Sequence, residues 1–267
     1  MDEVEIIERT PAPATVASLV DDLTRLGDLS GRTVLVHSSL SRLGWVVGGA
    51  QAVVEALLAA VGPDGTIVVP THSSGLTDPS HWANPPVPEA WWPVLREHMP
   101  AFDPLTTPTR GMGAIVDCFR RLPGVRRSAH PAVSFAALGP NAEAITASHP
   151  LEDGLGDASP LARVYDLDGL VLLLGVGHAN NTSLHLAEHR CGGIGAERIE
   201  QGSPVLVDGE RRWVTYSELE GVTDDFDALG ADLPDQTLGR VGAGEARLMR
   251  QRDLVDFAVV WFTATRS

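Results

Sequence analysis

The chain reads as an α/β protein, a central mixed or parallel β-sheet flanked by helices. Three observations predict this. Apolar runs of strand length, such as Thr33-Val34-Leu35-Val36-His37 and Val171-Leu172-Leu173-Leu174-Gly175-Val176, alternate with segments of helical periodicity. The hydrophobic fraction of 43% is spread over such short blocks, and no apolar stretch approaches the roughly 20 residues that span a bilayer. At 267 residues there is ample length for a buried core.

Taken in order, Ala14 to Leu26 is expected to be helical, because Val16, Leu19, Leu23 and Leu26 recur on one face before Gly27. The strand Thr33 to His37, a helix from Ala50 to Val61 and a strand from Thr66 to Val69 after the turn Gly62-Pro63-Asp64-Gly65 make a βαβ unit. Residues Thr71 to Pro108 are rich in proline, hold Trp82, Trp91 and Trp92, and show no clean period. A loop of that length inside a compact domain predicts an ordered excursion that walls a binding site. Helices are expected at Gly111 to Leu122 and Pro160 to Tyr165, and strands at Val133 to Leu138 and from Val171. Asp208-Gly209 suits a type I′ turn, so Val205 to Val214 is a β-hairpin. A last amphipathic helix is expected from Glu245 to Phe262, burying Leu248, Leu254, Val255, Ala258, Val259 and Phe262. Nothing marks an internal boundary or repeat, so residues 1–267 are expected to form one domain.

Charge and cysteine usage narrow the function. The net charge of −15 repels nucleic acid and attracts polycations. All twenty basic residues are arginine, which excludes a lysine nucleophile or Schiff base. With only Cys118 and Cys191, no disulfide framework is expected, and the acidic start MDEVEIIERT lacks a signal-peptide layout, so a cytoplasmic protein without membrane attachment is expected.

Chemistry concentrates after the apolar run at Val171. In His178 to Arg190, Asn181 or Thr182 can cap a helix that sets His185 and Glu188 on one face, a base with a carboxylate to orient it. The same residues with His189 spell His-x-x-Glu-His, the order of an inverted zinc-protease motif, in which His185 and His189 would be ligands and Glu188 the base. Both readings stand on the motif alone. Two segments suit an anionic ligand. His37-Ser38-Ser39-Leu40 ends the first strand, where α/β sheets bind ligands, and Gly44, Gly48 and Gly49 lead into a helix start with free amides. Thr107-Pro108-Thr109-Arg110-Gly111-Met112-Gly113 places an arginine before another helix, and Arg120, Arg121, Arg126 and Arg127 with Ser128 and His130 add positive charge. Neither a P-loop nor a dinucleotide fingerprint is present.

The succession VHSSLSRLGWVVGGAQAVVEALLAAVGPDGTIVVPTHSS, TPTRGMG, RSAHPAVSFAALG, SPLARVYDLDG, LLLGVGH and NTSLHLAEH resembles the aminoglycoside N3-acetyltransferase family, antibiotic acetyltransferases distinct in fold from the GNAT enzymes. The likeness covers nearly the whole chain, and PPVPEAWW looks like the bacilli-type branch. The resemblance implies acetyl-CoA as co-substrate, no metal, and a polycationic aminoglycoside acetylated at its 3-amino group. His185 is then the general base, Glu188 its orienting carboxylate, and His37 a further catalytic group near the thioester. His37, Ser38, Ser39, Leu40, Gly44, Thr109, Arg110, Gly111, Met112, Ser134 and Phe135 are expected at the cofactor. Asp78, Glu152 and Asp153 are expected at the substrate, and a monomer or homodimer is expected. The family pattern needs only the His-Leu-Ala-Glu portion, so a related acetyltransferase for another amine and a zinc hydrolase remain as lesser alternatives. Ala179 departs from the family, which commonly has an acid just after the Gly-His pair.

Overall fold

The computed structural model describes residues 3–266. The first helices are α1 (Glu3–Glu8) and α2 (Val16–Leu26), the latter opened by a capping box in which Thr15 and Ser18 satisfy each other's backbone amides. Strand β1 (Thr33–Ser38), helix α3 (Gly49–Val61) and strand β2 (Thr66–Pro70) form the expected βαβ unit, with β1 and β2 parallel. The excursion holds α4 (Trp92–His98) and is followed by α5 (Gly113–Phe119), β3 (Arg126–Arg127), β4 (Phe135–Leu138), α6 (Ala142–Thr146) and α7 (Pro160–Asp166). Then come β5 (Leu170–Leu174), α8 (Ser183–Arg190), the hairpin β6 (Glu197–Val207) and β7 (Glu210–Glu220), α9 (Phe226–Asp232), β8 (Thr237–Val241), β9 (Gly244–Arg250) and α10 (Gln251–Thr265).

Seven strands make one mixed sheet in the order β3-β4-β2-β1-β5-β9-β8. The centre, β2-β1-β5, is parallel, and antiparallel strands close both sides. Strand alternation splits the core into two layers. Val34, Val36, Ile67, Val69, Leu172 and Leu174 pack under α2, α3 and α5. Leu35, Val68, Phe135, Val171, Leu173 and Met249 pack under α6 to α10. The chain leaves β1 toward β2 and later returns to β1's other side as β5, so the strand order reverses between β1 and β5. Ligands bind at such a reversal, outside the carboxyl ends of the strands.

Two expectations change. The last helix begins at Gln251, because Gly244 to Arg250 is a strand paired with β5 and β8. Leu248 is buried, but from a strand whose alternation, Ala246 and Leu248 inward with Glu245 exposed, has period two. The hairpin is longer than Val205 to Val214, extending to Glu197 and Glu220 as a separate two-stranded sheet.

The excursion docks along that hairpin. The Phe102 amide donates to the Pro204 carbonyl (3.0 Å), the Asp78 amide to Gln201 Oε1 (2.6 Å), and Arg211 Nε to the Met99 carbonyl (3.0 Å). Trp82 Nε1 donates to Thr77 Oγ1, whereas Trp91 is exposed. Among the described residues no helix is long and apolar enough to cross a membrane.

Candidate active site

His185 lies in the first turn of α8, over the carboxyl edge of the sheet. Of the two candidate caps, Thr182 holds the N-cap position without a side-chain bond, and Asn181 Oδ1 accepts the Ser183 amide (3.2 Å) in the turn that leads into it. One turn further, His185 Nδ1 and Glu188 Oε2 are 2.6 Å apart. The other Glu188 oxygen, Oε1, accepts the Val222 amide (2.9 Å) and Arg266 Nη1 (2.6 Å). Burial pushes the Glu188 carboxyl up, but His185, Arg266 and the Val222 amide together outweigh it and hold the group below the usual carboxylate range. Glu188 is therefore an acceptor, and His185 donates to it through Nδ1–H, which leaves Nε2 as the ring nitrogen turned away from the carboxylate.

Arg266 is itself fixed by Asp225, through Nε to Oδ2 (2.7 Å) and Nη2 to Oδ1 (2.6 Å), and its guanidinium lies 3.7 Å from the Phe262 ring centroid. The Phe226 ring sits 5.1 Å from His185. Gly221 closes the site from the far end of β7. A Cβ there would stand 2.5 Å from His185 Nδ1 and 2.8 Å from Glu188 Oε2. Gly221→Ala is accordingly expected to push the pair apart and lower turnover by about tenfold or more, a displacement effect of the kind that misplaced catalytic groups produce. Steady-state kinetics with an unchanged far-ultraviolet spectrum would check this, and wild-type turnover would contradict the packing.

Two more histidines share that face of the sheet edge. His37 Nε2 is 3.3 Å from Thr182 Oγ1, and burial, with a smaller contribution from His185, lowers its pKa to about 3. Burial likewise lowers His72 to about 3, and its Nε2 is enclosed without a hydrogen-bond partner. Both rings are neutral at physiological pH.

On the other side of β1, Ser38 opens into a cleft of 1740 Å³ at the reversal point. Its walls bring together Ser39, Leu40, Gly44, Gly111 and Met112 of the residues expected at the cofactor, along with Gly48, Gly49, Gly177, His178 and Asn180. Gly175 turns the chain away from β5 at φ 68°, and a Cβ there would meet Arg42 Cβ at 2.6 Å. His37, Thr109, Arg110, Ser134 and Phe135 do not line the cleft. Thr109 Oγ1 donates to Asp117, Ser134 Oγ donates to the buried Thr71 carbonyl, and Phe135 fills the core. Arg127 of the arginine cluster is likewise internal, binding Thr71, Ser73, Ser134 and Thr107.

The expected substrate carboxylates are mostly occupied. Asp78 binds Arg96 Nε and Nη2 at 2.9 and 2.7 Å, and Asp153 holds the Ala158 amide and His189 (3.2 Å). Glu152 is exposed. The acid the sequence reading missed is Glu218 on β7, half-buried beside Gln201 and in the electrostatic neighbourhood of His185; burial raises its pKa. Its only signal was the alternation Tyr216-Ser217-Glu218-Leu219-Glu220 on a strand. Beside Ala179, Asp227 Oδ1 accepts the Ala179 amide (3.0 Å), so α9 brings a carboxylate to that spot. Among the described residues no three histidine, cysteine or acidic side chains converge to hold a metal ion.

The mixed sheet and its switch-point cleft define an α/β protein built to bind a ligand at the strand-order reversal. The chain belongs to the aminoglycoside 3-N-acetyltransferase family, whose model matches residues 35–263. It is 47% identical, over 97% of its length and 96% of the relative's, to the SPbeta prophage-derived aminoglycoside N(3′)-acetyltransferase-like protein YokD of Bacillus subtilis (strain 168). The crystal structure of that protein superposes with a TM-score of 0.95 at 45% identity, covering 98% of each chain. Two ligand-bound structures are also similar. AAC-IIIb, a binary complex with CoASH, gives a TM-score of 0.85 at 30% identity over 96% of this chain and 98% of that one. AAC-VIa bound to sisomicin gives 0.85 at 33% identity over 96% and 100%.

Proposed function

We propose that this protein transfers an acetyl group from acetyl-CoA to the 3-amino group of a 2-deoxystreptamine aminoglycoside, with His185 as general base and antibiotic resistance as the consequence. The observation that carries the proposal is the His185–Glu188 pair standing one helical turn from Thr182, which bonds His37, whose neighbour Ser38 lines the cleft. Relatives solved with CoASH and with sisomicin support the two ligands.

The cleft fits the co-substrate, which supplies an activated acyl carbon. Ser38, Ser39, Gly175 and Gly177 line the cleft, Ser38 being the chain neighbour of His37, and Gly48 brings the start of α3 into the wall, where a helix N-terminus suits a pyrophosphate. The acceptor amine is mostly protonated in water and must shed a proton to attack. His185 Nε2 takes that proton, and Glu188 stabilises the imidazolium through Nδ1. Neutral His37 can hold the thioester end without adding positive charge beside a cation. Glu218 and the protein's overall negative charge favour a polycationic acceptor.

The test is thiol release from acetyl-CoA with sisomicin, gentamicin, tobramycin and apramycin as acceptors, with and without a chelator. Chelator-insensitive turnover is expected. Bound CoA without turnover on any of them would move the acceptor to another amine, and chelator sensitivity would revive the zinc reading of His185 and His189.

A further inference from the structure

Strand β2 ends beside β1 at the edge of the sheet where His185 stands, and its pairing continues past Pro70. The Thr71 amide donates to the Ser134 carbonyl (2.8 Å) and the Ser73 amide to the Ala132 carbonyl (2.8 Å), so strand alternation runs on through His72. Side chains on one face follow in steps of two. Leu35 and Val68 are register partners in the layer packed under α6 to α10, and His37 and His72 continue their rows toward the edge. The His72 ring meets Phe135 of the same layer edge-on, with centroids 5.6 Å apart. Helix α8 covers that face through Leu184, Leu186 and Ala187 and brings His185 to it. His37, His72 and His185 therefore share one side of the sheet edge. Ser38 opens into the cleft on the other side, and His72 is not part of the cleft wall.

His72 is firmly mounted yet unsatisfied. Its carbonyl accepts the Arg110 amide (2.9 Å), and Arg127 Nη2 binds the Thr71 carbonyl (2.7 Å) and Ser73 Oγ (3.2 Å) on either side of it. The neighbouring hydroxyls are committed elsewhere. Ser73 Oγ donates to the Pro131 carbonyl (2.7 Å), Ser134 Oγ to the Thr71 carbonyl (2.9 Å), and Thr71 Oγ1 accepts Arg127 Nε (3.1 Å). The nearby histidines are satisfied as well: His149 lies between Ser128 Oγ and the Gly154 carbonyl, and His130 between the Leu151 carbonyl and the Ala132 and Val133 amides. Only His72 Nε2 among these groups is enclosed without a partner. A nitrogen left in that state costs free energy that an apolar ring of similar size would avoid, and a ligand that completes the hydrogen bond accounts for keeping it. The residue as a whole is half-buried, and a turn of the ring about its Cβ–Cγ bond is the motion that presents a nitrogen to such a ligand. Burial keeps the ring neutral, so it offers a lone pair without adding positive charge beside a cation.

We propose that His72 is a specificity-determining residue on the acyl-acceptor side, its imidazole accepting a hydrogen bond from an N–H or O–H group of the amine substrate next to the nitrogen that His185 deprotonates. This assignment rests on the acetyltransferase reading given above, which gave His72 no part. The division of labour follows from the sheet order. His37 is the chain neighbour of Ser38 and stays with the thioester, whereas His72, one strand further from the reversal between β1 and β5, falls to the acceptor. A polycationic amine suits the position because its ammonium and hydroxyl groups are all donors.

Steady-state kinetics with sisomicin, calorimetric titration with CoA and a thermal melt, each on wild type, His72→Phe and His72→Gln, test the proposal. His72→Phe keeps a ring against Phe135 and removes the unpartnered nitrogen. It is expected to melt no lower than wild type, while KM for sisomicin rises about tenfold or more, kcat changes by less than about threefold and CoA affinity stays within about twofold. His72→Gln restores a neutral acceptor of similar reach and is expected to return KM to within about threefold of wild type. An unchanged KM in His72→Phe, with or without a lower melting temperature, would overturn the assignment and leave the acetyltransferase reading in place. So would a KM defect that His72→Gln does not recover, or one accompanied by an equal loss of CoA affinity. Absence of turnover by the wild type on sisomicin and on every other aminoglycoside offered would overturn both.

Discussion

Replacing His185 by alanine is expected to lower kcat/KM for acetyl transfer by about 10²–10⁴-fold, the usual contribution of a positioned general base. The loss should fall on kcat, because His185 is not part of the cleft wall and CoA affinity should stay as it was. Glu188→Gln should produce a smaller loss. The amide keeps the length of the side chain and a carbonyl acceptor, but it removes the charge that stabilises the imidazolium. Thiol-release kinetics on both variants, with CoA affinity measured alongside, separates a chemical defect from a binding one. Activity within about threefold of wild type in His185→Ala would remove the base from the mechanism.

The second large effect is expected far along the chain, at Arg266. Its side chain is 7% exposed and serves two carboxylates, Glu188 and Asp225, as well as the Val222 carbonyl. Arg266→Met keeps much of the packing on Phe262 but leaves the buried Glu188 and the half-buried Asp225 without their cation. Removing one partner of such a pair costs about 3–5 kcal/mol. The pH dependence gives the effect a signature. In the wild type the Glu188 pKa is depressed, so its contribution to stability is complete above the unfolded carboxylate value and is lost as pH falls through the folded one. In the variant one of the contacts that lower the folded pKa is lost while those of His185 and the Val222 amide remain, so the folded pKa moves upward and the ionised group stabilises less at neutral pH. The deficit should therefore be fully present near pH 7 and shrink as pH falls through the carboxylate range, toward about pH 4. Denaturant unfolding of both proteins at the two pH values checks it. A deficit that stays constant with pH would assign the cost to lost packing instead.

How much of this was legible in the sequence depends on the range of the interactions involved. The strands at Thr33 and Val171, the βαβ unit and the Asp208-Gly209 hairpin are written in local apolar pattern and turn chemistry, and they formed as expected. His185 and Glu188 were legible because three residues on a helix bring side chains together without help from elsewhere. The partners that fix Glu188 were not, since Val222 and Arg266 lie 34 and 78 residues away. The strand Gly244–Arg250 reads locally as the first turns of α10 because Leu248 stands at a helical i, i+7 spacing from Val255. Its pairing with β5 and β8 overrode that local pattern. Ser134, Phe135, Thr109 and Arg110 lie within family-like blocks, yet the structure spends those side chains on the core, on Asp117 or on the Asn84 carbonyl.

The measurement that bears most directly on the account is the position of the transferred group. Acetyl-CoA labelled with carbon-13 at the acetyl carbonyl is incubated with sisomicin, and the product is assigned by two-dimensional NMR. The account predicts a single acetyl on the 3-amino nitrogen of the 2-deoxystreptamine ring, formed by the wild type and not by His185→Ala. Acetyl on another nitrogen, or product formed equally by the variant, would contradict it.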